Sequence, residues 1–305
     1  MLRQLFLFLS TQRWAYRIIL SNPVTRAMAW RFVAGEDIDA ALAAVRALAA
    51  RGISATLDHL GENVATEAEA AAAADAAIEI LRRIEAAAVR SHLSVKLTQL
   101  GLDLGDDFCR AQTRRVLDCA RELGNFVRID MEGSAYTQRT LDLFYELRRE
   151  YGPDTVGIVL QSYLYRTQAD VERAIATGSR VRLVKGAYDE PPTVAYPDKA
   201  AVDRAYRIQM EQLLARGRYP AIATHDERLL GRAQGFAAAE GLDERGFEFQ
   251  MLYGVRRDLQ LRLAAEGYNV RCYVPYGTQW YPYFMRRLAE RPANVLFLLA
   301  NLLRR

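Results

Sequence analysis

The run Ile53-Ser-Ala-Thr-Leu-Asp-His-Leu60 follows Gly52 and leads into the alanine-rich stretch Glu67 to Val89. A short β-branched and apolar segment followed by a longer one with helical spacing is a βα unit. The same pairing recurs along the chain. Further strands are expected at Leu93 to Leu100, Phe126 to Met131, Thr155 to Ser162, Val181 to Ala187, Ala221 to His225, Phe247 to Leu252 and Val270 to Val274. Helical periodicity fills the intervals at Phe108 to Leu123, Thr137 to Tyr151, Gln168 to Thr177, Lys199 to Arg216, Glu227 to Glu240 and Arg256 to Glu266, and again at Tyr281 to Glu290. Eight such pairs in about 240 residues match an α/β chain folded as a (βα)8 barrel of the TIM type. A doubly wound sheet usually has fewer strands and a glycine-rich first turn, and neither G-x-G-x-x-G nor G-x-x-x-x-G-K-[ST] occurs.

Outward from this repeat, the first 52 residues read as a helical cover, with alanine and leucine at helical spacing between Asp37 and Arg51. Residues 53–305 form the expected barrel unit. Asn294 to Leu303 is apolar enough for a closing helix. The chain has 305 residues, 51% hydrophobic and 26% charged, with a net charge of +4, which excludes a disordered tail and implies no nucleic-acid stripe. No run of about 18 apolar residues is available to span a bilayer, and Leu2 to Leu9 reads as part of an amphipathic helix rather than a secretory signal. Cys109, Cys119 and Cys272 lack C-x-x-C spacing, which fits a reducing, cytoplasmic setting. His59, His92 and His225 show no ligand spacing, so no metal is expected.

In a parallel barrel the chemistry lies at the carboxyl ends of the strands. Those ends supply Asp58, His59 and Glu62, then Lys96, Asp130, Glu132 and Gln161. Arg182, Lys185 and Tyr188 follow, with Thr224, His225, Glu248, Gln250 and Tyr273 beyond them. Only three of 41 basic residues are lysine, so Lys96 and Lys185, placed inside buried-looking strands, call for a reason. Three readings fit the residues alone, the first two being a lysine that forms a Schiff base, as in a lyase or aldolase, and a cation-rich pocket for an anionic ligand. A non-catalytic basic barrel that binds nucleic acid or acidic lipid is the third. Arg286 and Arg287, on the helix after strand eight, could grip a carboxylate with two guanidinium forks.

The motifs Val-Arg-Ile-Asp130-Met-Glu-Gly-Ser, Arg182-Leu-Val-Lys185-Gly-Ala-Tyr188, Ala-Thr-His225, Glu-Phe-Gln250-Met-Leu252-Tyr-Gly and Tyr273-Val-Pro-Tyr-Gly occur in that order, followed by Tyr283-x-x-Arg286-Arg287-x-x-Glu290. Together they resemble the proline dehydrogenase family, in its short monofunctional bacterial form related to the corresponding domain of bifunctional proline utilization A. The resemblance runs from about Ile53 to Asn294. It implies a distorted barrel that binds FAD non-covalently and oxidises L-proline to Δ1-pyrroline-5-carboxylate. It also implies a membrane quinone as electron acceptor and a separate pyrroline-5-carboxylate dehydrogenase as metabolic partner, with transient contact at the membrane surface.

By the same resemblance, Arg182 sits near the reactive flavin nitrogen, and Gln161, Val184, Lys185, Gly186, Ala187, Thr224, His225 and Gln250 hold the rest of the cofactor. Arg286 and Arg287 clamp the substrate carboxylate, while Ala187, Tyr188, Leu252, Tyr273 and Tyr283 shape the pocket. Lys96, Asp130 and Glu290 surround the substrate, and Glu62 gates it by pairing with Arg286.

Overall fold

A computed structural model of the chain describes residues 29–61 and 64–290, the side chains of residues 286 and 288–290 excepted. Eight parallel strands close into a barrel in sequence order, β1 pairing with both β2 and β8. The order is α1 (Ile38–Ala49), β1 (Ser54–His59), α2 (Glu67–Ala86), β2 (Ser91–Val95), α3 (Asp106–Glu122), β3 (Val127–Ile129), α4 (Ser134–Tyr151), β4 (Val156–Gln161), α5 (Thr167–Ala176), β5 (Val181–Val184), α6 (Lys199–Arg216), β6 (Ala221–Ala223), α7 (Glu227–Ala239), β7 (Glu248–Leu252), α8 (Arg257–Ala265), β8 (Asn269–Tyr276) and α9 (Trp280–Glu290). The (βα)8 barrel is as expected. The expectations for residues 1–28, for Glu62 and for the closing helix at 294–303 lie outside the described residues.

Helix starts follow local chemistry. Thr66 and Glu69 form a reciprocal capping box at the head of α2, the Glu69 carboxylate accepting from the Thr66 N–H and the Thr66 hydroxyl from the Glu69 N–H. Asp37, Asp198 and Asp226 each cap a helix through the side-chain carboxylate. Helix α1 adds Ala41, Leu42, Val45 and Leu48 to the same apolar cluster that holds the strands against the outer helices.

Most strands alternate, although in β4 the consecutive residues Ile158, Val159 and Leu160 are all apolar and buried. Ala55 and Leu57, Leu93 and Val95, Val127 and Ile129, Val181 and Leu183, and Phe249 and Met251 belong to that cluster. Between them stand Thr56 and Asp58, Ser94, Arg128, Arg182, Glu248 and Gln250, all buried. Arg182 reaches Gln250 on β7, Ser94 on β2 and Asp130 just past β3, which is possible only through the barrel interior. The lumen is therefore polar, where TIM-type barrels are commonly filled by branched aliphatic side chains. Small residues make the room. Arg128 lies beside Gly157 in register, and Arg182 lies beside Ala221.

Several strands stop short of their expected ends, and β2 and β5 do so by three residues or more. β2 ends at Val95 because the chain turns at once, Leu97 O accepting from both Leu100 N and Leu102 N. β5 ends at Val184, two residues before Gly186, whose φ of +122° only glycine adopts readily. Lys96 and Lys185 thus stand one residue past their strands, at the mouth, rather than inside them.

Gly157 tests this packing. A Cβ there would lie 2.6 Å from an Arg128 guanidinium nitrogen and 2.7 Å from the Arg180 carbonyl. We expect Gly157→Ala to lower stability by about 1–3 kcal/mol, as overpacking does, read as a lower denaturant midpoint; an unchanged midpoint would mean that the lumen has slack.

Candidate active site

Arg182, 4% exposed, is the hub of the mouth. Its Nε donates to Gln250 Oε1 (2.5 Å), one terminal nitrogen donates to Asp130 Oδ1 (2.7 Å) and the other to Ser94 Oγ (3.2 Å). Each partner is held in turn. Gln250 Nε2 donates to Glu248 Oε1 (2.5 Å), which orients the amide so that its oxygen faces Arg182. Glu248 accepts from Arg271 Nε (3.0 Å), whose terminal nitrogen donates to the Ala55 carbonyl. Burial would raise the Glu248 carboxyl, but the Arg271 charge and the Gln250 hydrogen bond hold it below its ordinary value, so it stays an acceptor.

On the other side of Arg182, Asp130 Oδ2 accepts from the Tyr273 hydroxyl (2.8 Å), and Lys96 Nζ lies 3.9 Å from the same oxygen. Lys96 donates to Asp58 Oδ1 at 2.8 Å. The Arg182 guanidinium also sits over the Tyr273 ring, 5.2 Å from its centre. Burial, reinforced by the charges of Asp130 and Asp58, raises Tyr273 far above an ordinary phenol, so it remains a hydrogen-bond donor.

A second group lies over β5 and β6. Lys185 Nζ bridges Asp203 Oδ1 (2.6 Å) on α6 and Asp226 Oδ2 (2.9 Å) at the head of α7. Thr224 Oγ1 accepts from the Asp226 N–H (3.1 Å), and His225 Nε2 accepts from the Leu252 N–H (3.0 Å), which places the proton of a neutral ring on Nδ1. Gln161 Nε2 donates to the Glu132 carbonyl (2.8 Å), tying the ends of β3 and β4. After Gly186 the loop leaves Ala187 and Tyr188 exposed, and Glu190 binds back to Ser134 at the start of α4 through both its backbone N–H and its hydroxyl.

Helix α9 lies by the ends of β1 and β7, because Trp280, Tyr283 and Phe284 share one apolar cluster with Leu60 and Val255, and Leu252 packs against it. Arg287 stands over the Tyr283 ring, 5.1 Å from its centre. The side chains of Arg286 and Glu290, like Glu62, lie outside the described residues.

The structure thus gathers Lys96, Asp130, Arg182, Gln250 and Tyr273 into one bonded cluster, and Lys185, Thr224 and Asp226 into a second. Ser94, Asp203 and Arg271 complete these clusters, although none stood out in the sequence. Asp58 was visible as a strand-end carboxylate, without a partner to give it a role. A separate cavity of about 380 Å³ lies beside the mouth, where the alanines of α2 face β2. It shares only Ser94 with the polar cluster.

A parallel barrel with a charged, hydrogen-bonded lumen opening at its carboxyl end defines a (βα)8 enzyme of the type that orients a small polar substrate. The family model described as proline dehydrogenase matches residues 41–299. The chain is 46% identical over 280 residues to proline dehydrogenase of Deinococcus radiodurans, covering 91% of this chain and 90% of that one. It is 40% identical over 305 residues to proline dehydrogenase 1 of Bacillus subtilis, covering 100% of both. Among solved structures it superposes on proline utilization A from Bdellovibrio bacteriovorus, inactivated by N-propargylglycine, with a TM-score of 0.81 at 28% identity, covering 87% of this chain and 33% of that chain. The chain belongs to the proline dehydrogenase family, flavin-dependent oxidoreductases acting on CH–NH donors.

The Lys185 bridge has a pH signature. Burial would raise Asp203 and Asp226, but hydrogen bonds and charge from Lys185, with help from Lys199, bring both below their ordinary value of 3.8. Folded values below unfolded ones mean stability that is present above about pH 4 and lost as pH falls through the folded values. Lys185→Met removes the shared partner, so its acid unfolding, followed by tryptophan fluorescence, should begin at higher pH than wild type; coincident acid limbs would show the bridge to be idle.

Proposed function

We propose that this chain oxidises L-proline to Δ1-pyrroline-5-carboxylate with non-covalently bound FAD, at the mouth organised by Arg182. The observation that carries the reading is the buried Arg182 cluster, a fixed cation beside Tyr273 and Asp130. Three of the five N–H groups of a guanidinium are spent on Gln250, Asp130 and Ser94, and two remain for a ligand. Such a donor set suits the polar edge of a flat ring that gains negative charge on reduction.

FAD, when bound, would supply the acceptor for the hydride that leaves the carbon beside the proline nitrogen. Arg182, Gln161, Val184, Lys185, Gly186, Ala187, Thr224, His225 and Gln250 would hold it. The protein's own part is orientation and electrostatics. Arg182 cannot swing, because three partners fix its plane, so its positive charge is in place before electrons arrive. Tyr273 keeps its proton and donates a hydrogen bond to Asp130 Oδ2, on a carboxylate that Arg182 and Lys96 also flank. Arg286 and Arg287 would grip the substrate carboxylate, and Glu290, Leu252, Tyr188 and Tyr283 would bound the ring. Glu62 would close over the substrate by pairing with Arg286.

The electrons would pass to a membrane quinone through transient contact of an otherwise cytoplasmic protein with the membrane surface. The product would go to a separate pyrroline-5-carboxylate dehydrogenase. No helix among the described residues is long and apolar enough to cross a membrane. A Schiff-base reading finds less support. Lys96 spends its terminal nitrogen on Asp58 and Lys185 on Asp203 and Asp226, whereas a Schiff-base lysine has to present its amine to a carbonyl.

Anaerobic mixing decides the proposal: the purified protein should be yellow and bleach on adding proline, whereas a colourless or proline-inert protein overturns it. Arg287→Met should raise the proline concentration for half-saturation roughly tenfold or more, the effect of losing one charge-assisted contact, with flavin content near wild type. Loss of flavin instead would move Arg287 to the cofactor.

A further inference from the structure

The opposite end of the barrel holds an excess of arginine that this reading leaves unused. Arg180 immediately precedes β5, Asp154 lies just before β4, and Arg218 with Tyr219 lies just before β6. These four residues line a cleft of about 480 Å³ that opens to solvent at the amino-terminal face. The Arg180 guanidinium lies between two aromatic rings, 4.2 Å from the centre of Phe126 and 4.7 Å from that of Tyr219. Its Nε is buried without a hydrogen-bond partner, and among the described residues no carboxylate pairs with it.

The nearby acids are already engaged. Asp154 accepts from Arg218 through both oxygens (3.0 and 2.9 Å), and Glu248 accepts from Arg271. Arg128, 1% exposed, spends one terminal nitrogen on the carbonyls of Ile158 and Arg180, and its Nε also lacks a partner. Burial, with the charges of Arg182, Arg180 and Arg271, pushes the Arg128 guanidinium well below its ordinary range. On Arg180 burial acts in the same direction, opposed by Glu248 and, less, by Asp154 in the cleft itself. Arg148, whose Nε is a third buried donor without a partner, is lowered by burial and then by Arg218.

Glu248 and Asp154 are outnumbered by the arginines around them, and a buried cation with an unused donor is stabilised by an anion supplied from outside. A guanidinium whose faces are covered by rings presents only its edge, and that edge matches two oxygens of an oxyanion. We propose that this cleft binds a phosphate group, gripped by the edge of Arg180 and by Arg218. The open outer side admits either free inorganic phosphate or the phosphate of a larger molecule.

The test does not depend on proline oxidation. Thermal unfolding of the full chain, saturated with FAD to block any flavin phosphate site, is followed against inorganic phosphate and against phenyl phosphate, with chloride holding ionic strength constant. Phosphate should raise the Tm saturably, and chloride should not. Arg180→Met and Arg218→Gln should each raise the half-saturating phosphate concentration roughly tenfold or more. Arg218 lies at the surface, so its variant remains informative if Arg180→Met fails to fold. Phenyl phosphate acting at least as well as the inorganic ion identifies an ester as the ligand type, and inorganic phosphate acting alone identifies the free ion. A wild-type response that is absent or not saturable overturns the proposal, as does one that Arg218→Gln leaves unchanged.

Discussion

Charge placed inside a closed barrel has nowhere to go but across it. Water is excluded from most of the lumen, so each buried cation or carboxylate must find its partner on another strand. Here that requirement produces one continuous chain: Arg271 to Glu248, Glu248 to Gln250, Gln250 to Arg182, Arg182 to Asp130, and Asp130 to Tyr273 and Lys96. Its links come from β8, β7 and β5 and from the positions after β2 and β3. The site is therefore built into the wall of the barrel rather than laid on its loops, and the orientation of each member is dictated by the next.

The same requirement explains the apolar outside of the strands. With the lumen given over to polar groups, cohesion comes from the layer between strands and helices, where Leu57, Leu93, Ile129, Leu183 and Phe249 meet the outer helices. A substitution in that layer would act on stability first. A substitution in the lumen would act on both stability and chemistry, because removing one partner leaves another buried group unsatisfied.

Legibility in the sequence followed this division. The eight strands and their helices were readable because strand and helix periods differ, and the apolar outer residues recur regularly. The mouth residues Asp130, Arg182, Gln250 and Tyr273 were readable as a set because several spaced motifs carry them together, and Lys96 because lysine is rare in this chain. What escaped was pairing. Ser94 is an ordinary serine until Arg182, 88 positions away, donates to it, and Asp203 is a helical surface acid until Lys185 reaches it. Lys96 and Lys185 were placed inside strands because apolar residues continue past Val95 and Val184. The turn after Leu97 and the left-handed Gly186 end those strands for reasons that hydropathy does not record.

The fit of Arg128 against Gly157 also bears on how such a barrel arises in descent. A large guanidinium enters that layer only where the neighbouring strand carries no side chain, since a methyl group at 157 would overlap it. The Phe126 ring and the Arg180 carbonyl press on the same point, so a side chain at 157 would meet three neighbours at once. Lineages that share this fold are expected to differ at positions 128 and 157 jointly, so that their histories are coupled even where their surfaces have diverged.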